Sequence, residues 1–332
     1  MSKHATTSAL SLAASGALLA LVNAAPAAAA PVKVWVANNG VDSPTCGAVN
    51  APCLGLQQAH DNVMAGGDVS VLTPIDFGLE LTISKSVNIT NDGVGEASIV
   101  VTAGNITGIG ITVDANVGDM VSVRGLVIDG QAIGTTGIQV VQASAVHIQN
   151  CVIRSFEHGV STGIFVNLAS SGQVFVSDTI VYNNGSTALT AGIWVRPFGN
   201  VSANVVLDRV HLENNVIGLR VEGQDDTGSG SHVVIRDSVV SGNASDGILA
   251  HTVSGKGPSF VVVEHTSVVN NGGVGIHADG PRATMVLNDD TVTRNASGIS
   301  AVNFGQLLSF GNNKNFNNVG PEGAPTGSFS PM

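Results

Sequence analysis

The chain has 332 residues, a formal net charge of −11 at pH 7, 41 glycines, 4% aromatic residues and only 11% charged residues. Phosphate backbones and anionic lipid surfaces need clustered Lys and Arg, so this balance excludes nucleic acid and an anionic membrane surface as natural partners. Many glycines with few aromatics fit tight turns around an aliphatic core.

Residues 1–29 read as a secretory signal. Lys3 gives a charged start, Ala9 to Val22 an apolar run, and Ala-rich sequence follows. Pro31 blocks cleavage just before it, so the cut is expected after Ala27, Ala28 or Ala29. The apolar run is too short for membrane insertion, and the mature chain is expected to be exported to the periplasm, the cell surface or the medium. In residues 31–68, Val34-Trp35-Val36 is an initial strand. Cys46 and Cys53 flank a short Pro/Gly/Asn loop, where an oxidising compartment predicts a disulfide. Leu56, Ala59 and Val63 have helical spacing, which predicts a short helix from Cys53 to Met64. It would cap the open end of the core, where bare strand edges invite aggregation.

Residues 69–319 carry a repeat, irregular at first and regular from Met120. Copies start at Val121, Val146, Val174, Val205, Val233, Val261 and Met285, a period in the range of solenoids. Each reads aliphatic-x-aliphatic, two polar residues, a second short strand, often Asn, then Gly-aliphatic-x-aliphatic. The second strand supplies Ile128, Ile153, Val181, Leu212, Val240, Val268 and Val292. The third supplies Ile138/Val140, Ile164/Val166, Ile193/Val195, Leu219/Val221, Ile248/Ala250, Ile276/Ala278 and Ile299/Ala301. Period-two alternation without a helical stripe predicts an all-β parallel β-helix with three short strands per coil. Asn184, Asn215, Asn243, Asn271 and Asn295 share one turn position and predict a hydrogen-bonded ladder. Three of them also match glycosylation sequons. Cys151 falls in a column with Leu126, Thr179 and Val210, read as a buried strand position. Charged columns alternate in sign from coil to coil: Asp178, Arg209, Asp237, His265, Asp289; then Asp208, Arg236, Glu264; then Arg196, Glu222, His251, Asp279. Stacked opposite charges favour one register. Leu307, Leu308 and Phe310 form a last strand, and the Pro/Gly-rich tail 320–332 is expected to be mobile.

With its repeats and the motifs Ala51-Pro52-Cys53 and Gly66-Gly67-Asp68, the chain resembles exported bacterial right-handed parallel β-helix proteins of the pectin-lyase-like superfamily. That resemblance implies a right-handed coil, with the Asn turn between the second and third strands. It also implies that the first-strand sheet is the one that carries substrate in the lyases. The outward residues there are Ser122, His147, Phe175, Val206, Val234, Val262 and Val286. A lyase needs a base and a metal or cationic group, and a hydrolase needs two carboxylates. The family's Gly-His-Gly and Trp-Ile-Asp-His signatures are missing, and Asn288-Asp289-Asp290 is only a faint echo. The ladder Phe175, Val206, Val234, Val262, Val286 is instead a surface for self-association or for a covering loop.

The third strand offers a different face: Gln139, Phe165, Trp194, Arg220, Leu249, His277 and Ser300. Phe165, Trp194 and Arg220 fall on consecutive coils with Arg196 and Glu222 beside them, a set suited to a sugar ring and an anionic substituent. The loops after Arg196, Glu222 and His251 are expected to wall it, and packing of those loops over Trp194 is the competing reading. Asp225-Asp226 offers a weak calcium site, with no other cofactor indicated. The leading expectation is an exported protein that binds polysaccharide or another surface partner. A lyase or hydrolase of acidic glycan, using Arg196, Arg220, Glu222, Asp225 and Asp226, and a structural surface component are the alternatives.

Overall fold

Alternating aliphatic residues build three parallel sheets that together enclose one apolar core. The computed structural model describes residues 29–329, apart from Leu79 and Ile106; the signal region before residue 29 lies outside the described residues. The first sheet has twelve strands, from Lys33–Val36 to Gly327–Ser328. The second has ten, from Ile75–Asp76 to Lys314–Asn315, and the third nine, from Leu81–Ile83 to Ser297–Val302. Each strand pairs in parallel with its counterparts one coil away. Val121, Val146, Val174, Val205, Val233, Val261 and Met285 are successive partners in the first sheet. Ile128 through Val292 do the same in the second, and Ile138 through Ile299 in the third. These side chains are almost wholly buried, each contributing about 1.5–3 kcal/mol by leaving water.

The second turn is held by amides. The backbone N–H and the side-chain Nδ2 of Asn184 both donate to Oδ1 of Asn215. The same double bond runs on from Asn215 to Asn243, Asn271 and Asn295, and from Asn295 to Asn318. The other Nδ2 hydrogen goes to a carbonyl of the preceding coil, such as Val181 or Leu212. The ladder Asn are buried, so the sequon positions Asn184, Asn243 and Asn295 are engaged in the wall and closed to a glycan. The Gly that opens each third strand lies against this ladder. A Cβ on Gly247 would sit 2.6 Å from Val268, 2.7 Å from the Gly275 carbonyl and 2.9 Å from Asn271 Nδ2. The repeat's Gly is therefore a packing requirement.

The first turn places Asp178, Arg209, Asp237, His265 and Asp289 in the left-handed region, with φ between 48 and 55°. Their side chains point outward, and Arg209 pairs with Asp178 at 2.7 Å, His265 with Asp289 at 3.5 Å. In the neighbouring column Arg236 pairs with Asp208 at 3.0 Å. The next residue in each coil turns inward. Cys151 belongs to this turn column, not to a strand. It is buried, and burial pushes its thiol up to about 11. Asp290 holds the same column and is also buried. Desolvation pushes its carboxyl up to about 7, although it accepts N–H bonds from Thr266 and Asn288.

Both ends are closed. The helix is shorter than expected, Leu56–Asn62, because the flanking backbone is already extended at Gly55 and Val63. It buries Leu56, Ala59 and His60 and contacts the first two strands of the first sheet. Cys46 and Cys53 form a disulfide with Cα atoms 5.0 Å apart. At the other end described residues of the tail, up to Phe329, make contacts with the last coils. Pro321 and Glu322 carbonyls accept the N–H groups of Gly298 and Ile299, Gly327–Ser328 adds a strand to Leu308–Ser309, and Phe329 stacks on Phe310 at 5.3 Å. The last ladder amide needs an acceptor, and Glu322 supplies it, taking the N–H and Nδ2 of Asn318 on its two carboxylate oxygens.

Replacing Asn243 with Ala strands the donors of Asn215 inside the wall. At about 1–3 kcal/mol for each unsatisfied buried group, the expected loss is roughly 3 kcal/mol in the free energy of urea unfolding. An unchanged midpoint would show that the ladder does not hold the coils.

Candidate functional site

The third sheet carries a second, smaller apolar cluster on its outer face, formed by Ala191, Trp194 and Ile217 with Phe165, Val216 and Leu249 packed against it. Trp194 is its centre. The strand register places Gln139, Phe165, Trp194 and Arg220 on successive coils. The Phe165 and Trp194 ring centroids are 5.2 Å apart. The Arg220 and Arg196 guanidinium groups lie 5.0 and 5.2 Å from the Trp194 ring, within cation–π range.

Depth divides the five expected ligand-binding residues. Phe165 and Arg196 are half-buried, whereas Trp194 is 4% exposed, Arg220 7% and Glu222 0%. Glu222 is the hub. Its Oε2 accepts the Trp194 Nε1–H at 3.0 Å, and its Oε1 accepts Arg220 Nη2. Arg220 Nη1 donates to the Leu189 carbonyl at 2.6 Å. Arg220 and Glu222 therefore hold the indole in place from within the wall. They are not at the surface, because a charged pair this deep is retained only by satisfying itself. Trp194 is bounded by Arg220 and Arg196 and by the apolar cluster. The loops after Arg196, Glu222 and His251 stack on one another: Thr227 N–H donates to the Gly199 carbonyl, and Gly257 N–H to that of Asp226.

Electrostatics follow this packing. Burial pushes the Glu222 carboxyl up, but His251 and the Arg220 and Arg196 charges outweigh it, and the net direction is down. His251 Nδ1 lies 3.4 Å from Glu222 Oε1. That carboxylate raises the imidazole's pKa, opposed by partial burial, and Asp279 adds to the rise. Arg196 Nε donates to Asp225 at 2.5 Å and lies 3.9 Å from Glu222. Asp226 is buried, its Oδ1 accepting the N–H groups of Val201 and Gly228. The two carboxylates considered for calcium are thus engaged separately. Among the described residues the only grouping of three potential metal ligands is Asp42 with Cys46 and Cys53, whose sulfurs are joined in the disulfide.

What remains open is a groove of about 350 Å³ lined by Ile109, Thr135, Thr136, Gln139, Val160, Thr162, Phe165, Trp194 and Arg196. Phe165, Trp194, Gln139 and Arg196 all contribute to this lining. Thr135 and Val160 precede third strands and carry no repeat signal, so sequence columns alone do not mark them. On the first sheet, Phe175 stacks on His147 at 4.7 Å. Val206, Val234 and Val262 are half-buried in one row, and Val286 is 7% exposed.

Comparison with known proteins gives one family and three structural likenesses. The family model described as "Right handed beta helix region" matches residues 86–315. No curated protein sequence matches. Among solved structures, the pectate lyase Pel9A is similar with a TM-score of 0.61 at 16% identity, over 86% of this chain and 78% of that one. ORF18 of Geobacillus virus E2 has a TM-score of 0.45 at 14% identity, over 79% and 56%. A rhamnogalacturonan lyase has a TM-score of 0.42 at 12% identity, over 80% and 82%. At these identities the likeness is one of fold, in agreement with the pectin-lyase-like resemblance.

The His251–Glu222 contact has a signed pH dependence. A histidine with a raised folded pKa adds stability that is complete below its ordinary value of 6.5 and fades as pH rises through the folded value. The stability difference between wild type and His251→Gln, followed by chemical denaturation, is expected to be largest below pH 6.5 and to shrink as pH rises through the raised folded value. A difference independent of pH would refute the coupling.

Proposed function

We propose that this chain, which belongs to the right-handed β-helix family, is an exported protein that binds polysaccharide in the groove over its third sheet. The observation that carries the reading is a hollow lined by half-buried Phe165 and a clamped, buried Trp194, together with Gln139 and Arg196. A pyranose ring presents C–H groups to an aromatic face and hydroxyls to amides and guanidinium groups. The clamp from Glu222 and Arg220 pre-organises the indole, which reduces the ordering cost of binding. The disulfide in the N-terminal cap fits an oxidising compartment. Among the described residues no helix is long and apolar enough to cross a membrane.

The alternative, a lyase or hydrolase, draws its support from the lyase-like fold, and fold alone does not transfer chemistry. The acidic and basic groups of the third-sheet cluster serve as mutual partners: Glu222 is fully buried and Asp225 is bound to Arg196.

A glycan array probed with the mature chain tests the reading. Binding is expected, with no unsaturated ends or new reducing ends released from pectate, alginate or hyaluronan, with or without calcium. Phe165→Ala is expected to weaken binding roughly tenfold, about 1.4 kcal/mol, without changing the far-ultraviolet dichroism. Turnover of any of these polymers, or binding indifferent to Phe165, would count against it.

A further inference from the structure

We infer that the groove is built for an uncharged polysaccharide segment rather than a polyuronate; the inference rests on the groove being a glycan site and adds the class of glycan. Two features carry it, extent and charge.

The groove does not end at Gln139. A second hollow of about 310 Å³ adjoins it, and the two share Thr135 as a common wall. Ile109, Gln139, Phe165 and Trp194 come from four successive coils. At about 4.8 Å per coil they span about 14 Å along the solenoid axis. The combined hollow suits a run of sugar units lying across the coils better than a single ring.

The polar groups lining it are mostly hydroxyls and amides, with Asn105 and Thr107 in the second hollow continuing Thr135 and Gln139, and the imidazole of His158 is the one titratable group among them besides the guanidinium of Arg196. Arg196 is the only Arg or Lys in the lining of either hollow. Its charge is already answered by Asp225 at 2.5 Å and Glu222 at 3.9 Å. In the second hollow the Thr107 hydroxyl donates to Glu80 at 2.6 Å, and Thr112 donates to the same carboxylate at 3.0 Å, while Glu80 itself lines neither hollow. A uronate carboxylate entering this groove would find no unpaired Arg or Lys in the lining, and a chain of net charge −11 repelling it at long range. Neutral hydroxyls would find acceptors and donors of their own kind.

Equilibrium binding of the purified mature chain separates the possibilities. The probes are immobilised xylan, mannan, galactan and β-1,3-glucan on one side, polygalacturonate and alginate on the other. Each is measured at low salt and at about 0.5 M NaCl, where exposed charges are screened. Retention on at least one neutral polymer is expected, changing less than about twofold with salt, together with none on the polyuronates. Phe165→Ala and Gln139→Ala are each expected to raise the Kd, the first by roughly tenfold; Gln139→Ala keeps the test decisive where loss of the aromatic ring disturbs folding. Salt-sensitive retention on polyuronate alone would overturn the neutral class and leave the groove as a glycan site. Retention on neither series would overturn both. Neutral binding unmoved by either variant would place the site elsewhere and overturn the inference.

Discussion

Register between successive coils is the constraint on which this molecule depends, and the buried amide chain at the second turn is its main enforcer. A parallel coil that slips by one residue would turn its aliphatic set from the core to solvent. The ladder forbids the slip, because each Asn uses its own N–H, both Nδ2 hydrogens and its Oδ1 on neighbours one coil away. The amide-to-amide bonds are directional: from Asn184 onward each Asn gives its N–H and one Nδ2 hydrogen to the next Asn towards the C-terminus. A directional chain must end on an acceptor with no donor of its own, and Glu322 is one. Where the ladder gives out at the other end, Phe156 fills the column. Its N–H donates to Asn184 Oδ1, and its ring is fully buried.

The same register assembles the outer face of the third sheet. Residues scattered over some 80 positions become neighbours once the coils are stacked. Gln139, Phe165, Trp194 and Arg220 line up because Ile138, Ile164, Ile193 and Leu219 are held in line beneath them. The buried Glu222–Arg220 pair is a poor source of net stability, since two charges leave water to meet each other. Its value lies in position. With Glu222 taking the indole N–H and Arg220 over the ring, Trp194 has one orientation.

Columns were therefore legible in the sequence, and depth was not. Alternation tells that Trp194 points away from the core, but not whether another segment already lies against it. Leu189, whose carbonyl receives Arg220, belongs to a turn with no repeat signal. Arg220 and Glu222 looked like surface ligands for the same reason: a charged outward position and a buried outward position read alike until the neighbouring turn is placed. Cys151 was assigned to a strand because its column contains Leu126 and Val210, yet the left-handed residue before it makes it an inward turn position. The contacts of the tail are hidden by its composition. Its Pro and Gly serve a closing path over the last coil, and the unpaired amide of Asn318 was the sign that something must return to meet it.

A fold shared with lyases does not place chemistry where the lyases have it. On the first sheet, where that resemblance would seat substrate, the middle of the outer row is valine after valine, held in register from Val206 to Val286. Aliphatic side chains can neither take a proton nor hold a cation. Aromatic rings, hydroxyls and amides that face a common hollow occur on the third sheet, where the ion pairs are already closed among themselves. Closed ion pairs rigidify a wall but leave no charge to spend on a substrate. A site so arranged gains selectivity from shape and hydrogen bonding, and would not move with salt as a charge-reading site does.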